Sequence, residues 1–80
     1  MTNIRVDNVP ICEIFWHNFD IFIAKESVSY SYVERTLKLY DGYIYTKRKE
    51  KKLPKPEIIE IICQFFQIPY YFMFYISSDR

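Results

Sequence analysis

Between Lys47 and Lys55 stand Lys47, Arg48, Lys49, Lys51, Lys52 and Lys55, with Glu50 as the one acid among them. Six of the chain's eleven basic residues therefore fall in one short stretch of a protein whose net charge is only +1. The flanks are mildly acidic, each carrying a net charge of −2 over residues 1–46 and 57–80. Clustered ammonium and guanidinium groups attract phosphate oxygens, and a basic patch on an acidic remainder orients a molecule towards a polyanion. Lys47, Arg48, Lys51 and Lys52 suit phosphates, which give salt-sensitive affinity rather than sequence choice. Ser31 adds a hydroxyl at the expected start of a helix, where backbone N–H groups favour an anion. A competing reading is that the run completes a helix dipole and keeps an aromatic-rich chain in solution.

Other chemistry is poorly supplied. His17 is the single histidine, with Asp20 one helical turn on, and makes neither a triad nor a metal cluster. Cys12 and Cys63 sit apart in apolar helical patterns and read as two buried free thiols. No carboxylate pair, nucleophile motif or phosphate loop occurs, and the only glycine is Gly42. The expectation is a protein that is not an enzyme and holds no metal or cofactor. No basic segment followed by an apolar run opens the chain, and its longest apolar stretch is too short to cross a bilayer, so the expected location is cytoplasmic with no membrane partner.

The elements that position these groups follow from hydrophobic spacing. With 80 residues, half of them hydrophobic, the chain is expected to form one domain over residues 9–76, with an N-terminal arm over residues 1–8 and a polar tail over residues 77–80. Asn8 is a candidate cap for helix 1, with Pro10 in its first turn. Cys12, Phe15, Trp16, Phe19, Phe22 and Ile23 recur at helical spacing, and Ile11, Ile14 and Ile21 form a weaker second stripe. Ser29 and Ser31 are both possible caps of a short second helix, and Ser31 and Glu34 have capping-box spacing. Val33 and Leu37 are expected to point inward there, as is Ile44 in a third short helix opening near Asp41-Gly42. Pro56-Glu57 starts a fourth helix, with an apolar stripe of Ile58, Ile61, Ile62, Phe65 and Phe66. Tyr70 to Ile76 is expected as a fifth.

The aromatic load, eight Tyr, seven Phe and one Trp, exceeds what one small core can hide. Tyr70, Tyr71, Phe72, Phe74 and Tyr75 are read as a symmetric dimer contact, the leading candidates being Tyr70, Tyr71, Phe74 and Tyr75. The alternative is that Phe72 and Met73 simply close the monomer core. Tyr30, Tyr32, Tyr40, Tyr43 and Tyr45 crowd the second and third helices. They can serve as a stacking platform, as a protein-binding surface, or as partial core with hydroxyls in water.

Tyr43-Ile44, the basic loop, the proline-started segment Leu53 to Ile62 and the end Phe65-Phe66-Gln67-Ile68-Pro69-Tyr70-Tyr71-Phe72 resemble the phage-repressor (Cro/Xre-type) helix-turn-helix family. The resemblance covers most of the chain. It implies an all-α, compact five-helix bundle of the lambda-repressor-like type that binds double-stranded operator DNA, often as a homodimer, with the third helix in the major groove. On that footing Asp41, Gly42, Tyr45, Thr46 and Lys49 face the groove, and Thr46 and Tyr45 offer hydroxyls to base edges or phosphates. The sequence departs from the family pattern in several places. Lys38 stands where the turn usually has Gly, Tyr40 where a small polar cap is usual, and Lys47 where an apolar residue is usual. Glu50 replaces a common loop Gly, and Lys55 a common Ser cap. The unusual turn, Asp41 and the surface tyrosines motivate a second functional reading: a protein-binding inhibitor or anti-repressor on the same scaffold.

Overall fold

A computed structural model describes residues 10–75; the expected arm, the Asn8 cap, Ile76 and the polar tail lie outside them. Four α-helices follow one another: α1 (Ile11–Glu26), α2 (Tyr30–Thr36), α3 (Tyr43–Lys49) and α4 (Pro56–Phe66). The expected fifth helix is instead a 3-10 segment, Tyr70–Phe74. Pro69 fixes its entry in an extended conformation, and the segment is too short and too closely applied to α1 to develop α-helical turns. Among the described residues there is no strand.

The core is built on α1. Phe15, Trp16 and Phe19 are buried, with Cys12, Phe22 and Ile23 packed against them. Val33 and Ile44 bring in the two short helices, and Met73 closes the end. The ring of Phe66 stacks on Phe22 at 5.3 Å and meets Phe19 edge-on at 5.8 Å, which ties α4 to α1. The buried face of α4 is Ile59, Ile62, Cys63 and Phe66, turned from the expected stripe, with Ile58, Ile61 and Phe65 only half-covered. The apolar arc is broad, with Glu57, Glu60 and Gln64 exposed on the other side, so periodicity leaves the exact rotation of this helix open; packing against α1 settles it. The second stripe of α1 is only partly covered: Ile11 is exposed, and Ile14 and Ile21 are half-buried.

Asn18 sits within the apolar face of α1 and is buried. Its amide donates to the carbonyls of Met73 at 2.9 Å, Tyr75 at 3.0 Å and Phe72 at 3.4 Å. One side chain of α1 thereby gathers the carbonyls at the end of the 3-10 segment and holds it in place.

Ser29, not Ser31, caps α2, accepting from the Tyr32 N–H at 3.1 Å. The capping box with Glu34 does not form, because Glu34 is committed elsewhere. Its carboxylate, only 3% exposed, accepts from the Gly42 N–H at 3.0 Å and the Ile44 N–H at 2.9 Å. Neither Tyr40 nor Asp41 caps α3. Gly42 occupies the N-cap at φ 84 with no cap of its own, and Glu34 supplies the missing acceptor from the neighbouring helix. Lys38, where the expected glycine is missing, does adopt a left-handed conformation at φ 61.

The same device ends every α-helix. Ser27 (φ 57), Lys38 (φ 61), Lys51 (φ 58) and Gln67 (φ 60) are left-handed residues at or just past the ends of α1, α2, α3 and α4, and none is glycine. Each reverses the chain so that backbone N–H groups turn back onto terminal carbonyls, as Leu39 N–H does to Glu34 at 2.8 Å and Lys52 N–H does to Lys47 at 2.9 Å.

Two stability outcomes follow. Glu34→Ala strips two buried backbone donors of a charged acceptor, and is expected to lower the free energy of unfolding by about 3–5 kcal/mol. Equilibrium urea unfolding measures this, and a loss under about 1 kcal/mol contradicts the role given to Glu34. Ser27→Gly and Gln67→Gly, by contrast, each relieve a left-handed Cβ and are expected to stabilise by roughly 0.5–1 kcal/mol, read as a higher urea midpoint at unchanged slope.

Candidate functional site

α3 lies with Tyr43 and Ile44 against the core, Arg48 turned to α1, and Tyr45 and Lys49 towards solvent. Tyr45 is 59% exposed; Asp41 and Lys49 are exposed, and Thr46 and Lys47 are half-covered. Lys49 lies 5.9 Å from the Tyr45 ring centroid and Lys47 5.7 Å from that of Tyr43. At such a surface a cation over a ring is a small stabilising term. Ser31 is exposed in the first turn of α2, a helix of only seven residues, and makes no cap.

The basic turn after α3 is anchored. The Trp16 indole N–H donates to the Lys52 carbonyl at 3.1 Å, so a core residue of α1 grips the backbone of the turn. Left-handed Lys51 directs the chain out of α3, and Pro54 is buried. The side chains of Lys51 and Lys52 stay exposed, with Lys52 near Glu50 at 3.8 Å. Fixing the backbone while leaving the ammonium groups in water costs the turn little entropy on meeting a ligand.

Arg48 behaves differently from its neighbours. Its guanidinium forms an ion pair with Asp20 of α1, with Nη2 to Oδ2 at 2.6 Å and Nη1 to Oδ1 at 2.8 Å. Tyr30 of α2 donates its hydroxyl to the same carboxylate oxygen at 3.0 Å. Asp20 therefore joins α1, α2 and α3. The pair borders a hollow of about 230 Å³ between α1 and the basic turn, lined in part by Glu13, Trp16, His17 and Lys51. Among the described residues no group of His, Cys, Asp and Glu side chains is arranged to hold a metal ion.

Sequence reasoning placed Arg48 with the solvent-facing cations and left Asp20 and Tyr30 unassigned. Asp20 falls one turn after Trp16, on the side of α1 that faces the basic stretch, and that spacing was the available signal. Glu34 was visible only as half of a local capping box. Of the expected dimer residues, Tyr71 is 66% exposed, and Tyr70 and Tyr75 are exposed too, whereas Phe74 packs on the core, its ring 5.8 Å from that of Phe15. Phe72 is exposed and Met73 fully buried, so Met73 alone of that pair closes the core. Cys63 is buried and Cys12 half-buried, both as free thiols.

Two phenols are held in their neutral form. Burial pushes Tyr30 above the ordinary phenol range, and the hydrogen bond to Asp20 and its charge add to this, against the opposing effect of Arg48. Burial likewise raises Tyr43, opposed by the Lys55 backbone N–H. Among the described residues the Tyr43 hydroxyl has no partner in hydrogen-bond geometry. No family model, curated protein or solved structure matches the chain. Among the described residues no helix is long and apolar enough to cross a membrane.

Because both phenols ionise less readily in the folded protein than in the unfolded chain, their contribution to stability is whole below pH ~10 and is lost as the pH rises through the raised folded values. Thermal melting is expected to fall above about pH 10, and less steeply in Tyr30→Phe than in the parent. Tyr43→Phe removes a buried hydroxyl with no well-formed hydrogen bond among the described residues and is expected to be neutral or stabilising at pH 7; a loss beyond about 1 kcal/mol contradicts this.

Proposed function

We propose that this protein is a small DNA-binding regulator in which α2, the turn at Lys38 and α3 act as a helix-turn-helix, and the basic turn clamps phosphates. One observation carries the reading. The backbone of the basic turn is pinned to the Trp16 indole while Lys49, Lys51 and Lys52 are left exposed beside the outer face of α3. A fixed cluster of solvated ammonium groups next to a protruding helix fits a phosphate backbone flanking a groove. Asp41, Gly42, Tyr45 and Thr46 are then the candidate groove-facing positions, Lys47 and Ser31 lie at the margin, and Arg48 is set apart by its partner. Repression by occupancy as a homodimer, joined through Tyr70, Tyr71 and Tyr75, completes the proposal; the exposure of these three rings supports it.

A second reading has its own support. Tyr32, Tyr40 and Tyr45 are all exposed on the α2–α3 side, and exposed tyrosines form contact surfaces at low entropy cost. On this reading the scaffold is a protein-binding inhibitor or anti-repressor, with the lysines meeting an acidic partner.

A duplex-DNA shift assay at two salt concentrations, with light scattering on the same sample, separates the two. The double variant Lys51→Glu, Lys52→Glu is expected to weaken duplex binding and to flatten the logarithmic salt dependence by about 1.8, or ~0.9 for each lost phosphate contact. Duplex binding that is unchanged in this variant rules out the clamp. Absence of duplex binding at low salt, together with a single stoichiometric protein partner in a pull-down, favours the second reading.

A further inference from the structure

We propose that Asp20 is an internal stand-in for a phosphate, occupying the Arg48 guanidinium and thereby limiting how tightly the basic turn grips a polyanion. The inference rests on the DNA reading above and adds an affinity-setting residue outside α3.

Both carboxylate oxygens of Asp20 meet Arg48, at 2.6 and 2.8 Å, in the two-point fork that a guanidinium offers equally to carboxylate or phosphate. The Tyr30 hydroxyl donates to one of those oxygens at 3.0 Å, as it would to a phosphate oxygen. Lys51 and His17 border the same hollow of about 230 Å³ together with one further acid, Glu13, so a cation and a ring nitrogen stand near the place the carboxylate fills. The pair is not sealed: Arg48 and Asp20 are 38% and 40% exposed, so an oxyanion has access to the guanidinium. An exposed ion pair is weak enough for another anion to compete with it. With Arg48 withheld, the cations left for a ligand on this side are lysines. Lysine contacts phosphates as a point charge, so the grip is general rather than geometrically selective.

The test uses the full chain, with Asp20→Asn as the main variant; the asparagine oxygen still accepts from Tyr30 but no longer competes for the guanidinium charge. Duplex binding of Asp20→Asn is expected to be roughly threefold to tenfold tighter at low salt, with a logarithmic salt slope steeper by about 0.9, one added phosphate contact. The double variant Asp20→Asn, Arg48→Gln is expected to lose that gain. A second readout needs no DNA: inorganic phosphate, at ionic strength matched with chloride, is expected to raise the melting temperature of Asp20→Asn but not of the parent or the double variant. Circular dichroism verifies folding, and Asp20→Ser takes the place of Asp20→Asn if that variant does not fold.

A folded Asp20→Asn with unchanged or weaker duplex binding overturns the inference while leaving the DNA reading intact. If no form binds duplex, the DNA reading fails, and the phosphate-dependent melting then decides. A rise confined to Asp20→Asn upholds Asp20 as an oxyanion competitor, and no rise overturns it.

Discussion

The Glu34 carboxylate is the constraint on which the positions of the other groups depend. It is nearly inaccessible to water, it belongs to α2, and both its oxygens are used by backbone N–H groups at the start of α3. A short helix such as α3 has little intrinsic stability, because nucleation is costly and few hydrogen bonds are gained in return. Satisfying its orphan donors with a charged acceptor from the preceding helix forms α3 and fixes its orientation to α2 at once. Val33 and Ile44, buried on the adjoining faces, then complete a unit that neither helix can form separately.

Around that unit, α1 acts as the frame. Trp16 holds the basic turn by the Lys52 carbonyl, Asp20 holds Arg48 and Tyr30, and Asn18 holds the carbonyls of Phe72 and Met73. Three polar anchors thus project from a helix whose sequence reads as an apolar stripe. They explain why a turn with so many like charges keeps a defined path: its backbone is tied down at Lys52 and its one arginine is neutralised. The lysine side chains repel one another only in water, where screening is strong.

Much of the helical content was legible in the sequence. The apolar spacing of α1, the proline start of α4 and the inward Ile44 are local signals, and all appear where spacing puts them. The resemblance set Lys38 at a turn position usually held by Gly and left its conformation open; the residue is left-handed there. What stayed hidden was set by contacts distant in sequence. Glu34 had a plausible local partner in Ser31, and only the approach of α3 offers it a better one. Arg48 looked like one cation among six, and Asp20 lies far from it along the chain. The exact rotation of α4 and the 3-10 form of Tyr70–Phe74 were hidden for a related reason: the apolar arc of α4 is broad and Tyr70–Phe74 is apolar nearly all round, so neighbours rather than patterning select the most buried positions.

The left-handed residues closing all four helices have a consequence for how the chain folds. Serine, lysine and glutamine are poor stop signals, and left alone none of these segments has a strong local reason to end where it does. The lengths must therefore be enforced by the assembled body, which makes secondary and tertiary structure arrive together rather than in sequence. A chain built this way is expected to behave as one cooperative unit, with its excised helices largely unstructured and their boundaries defined only in the company of the others.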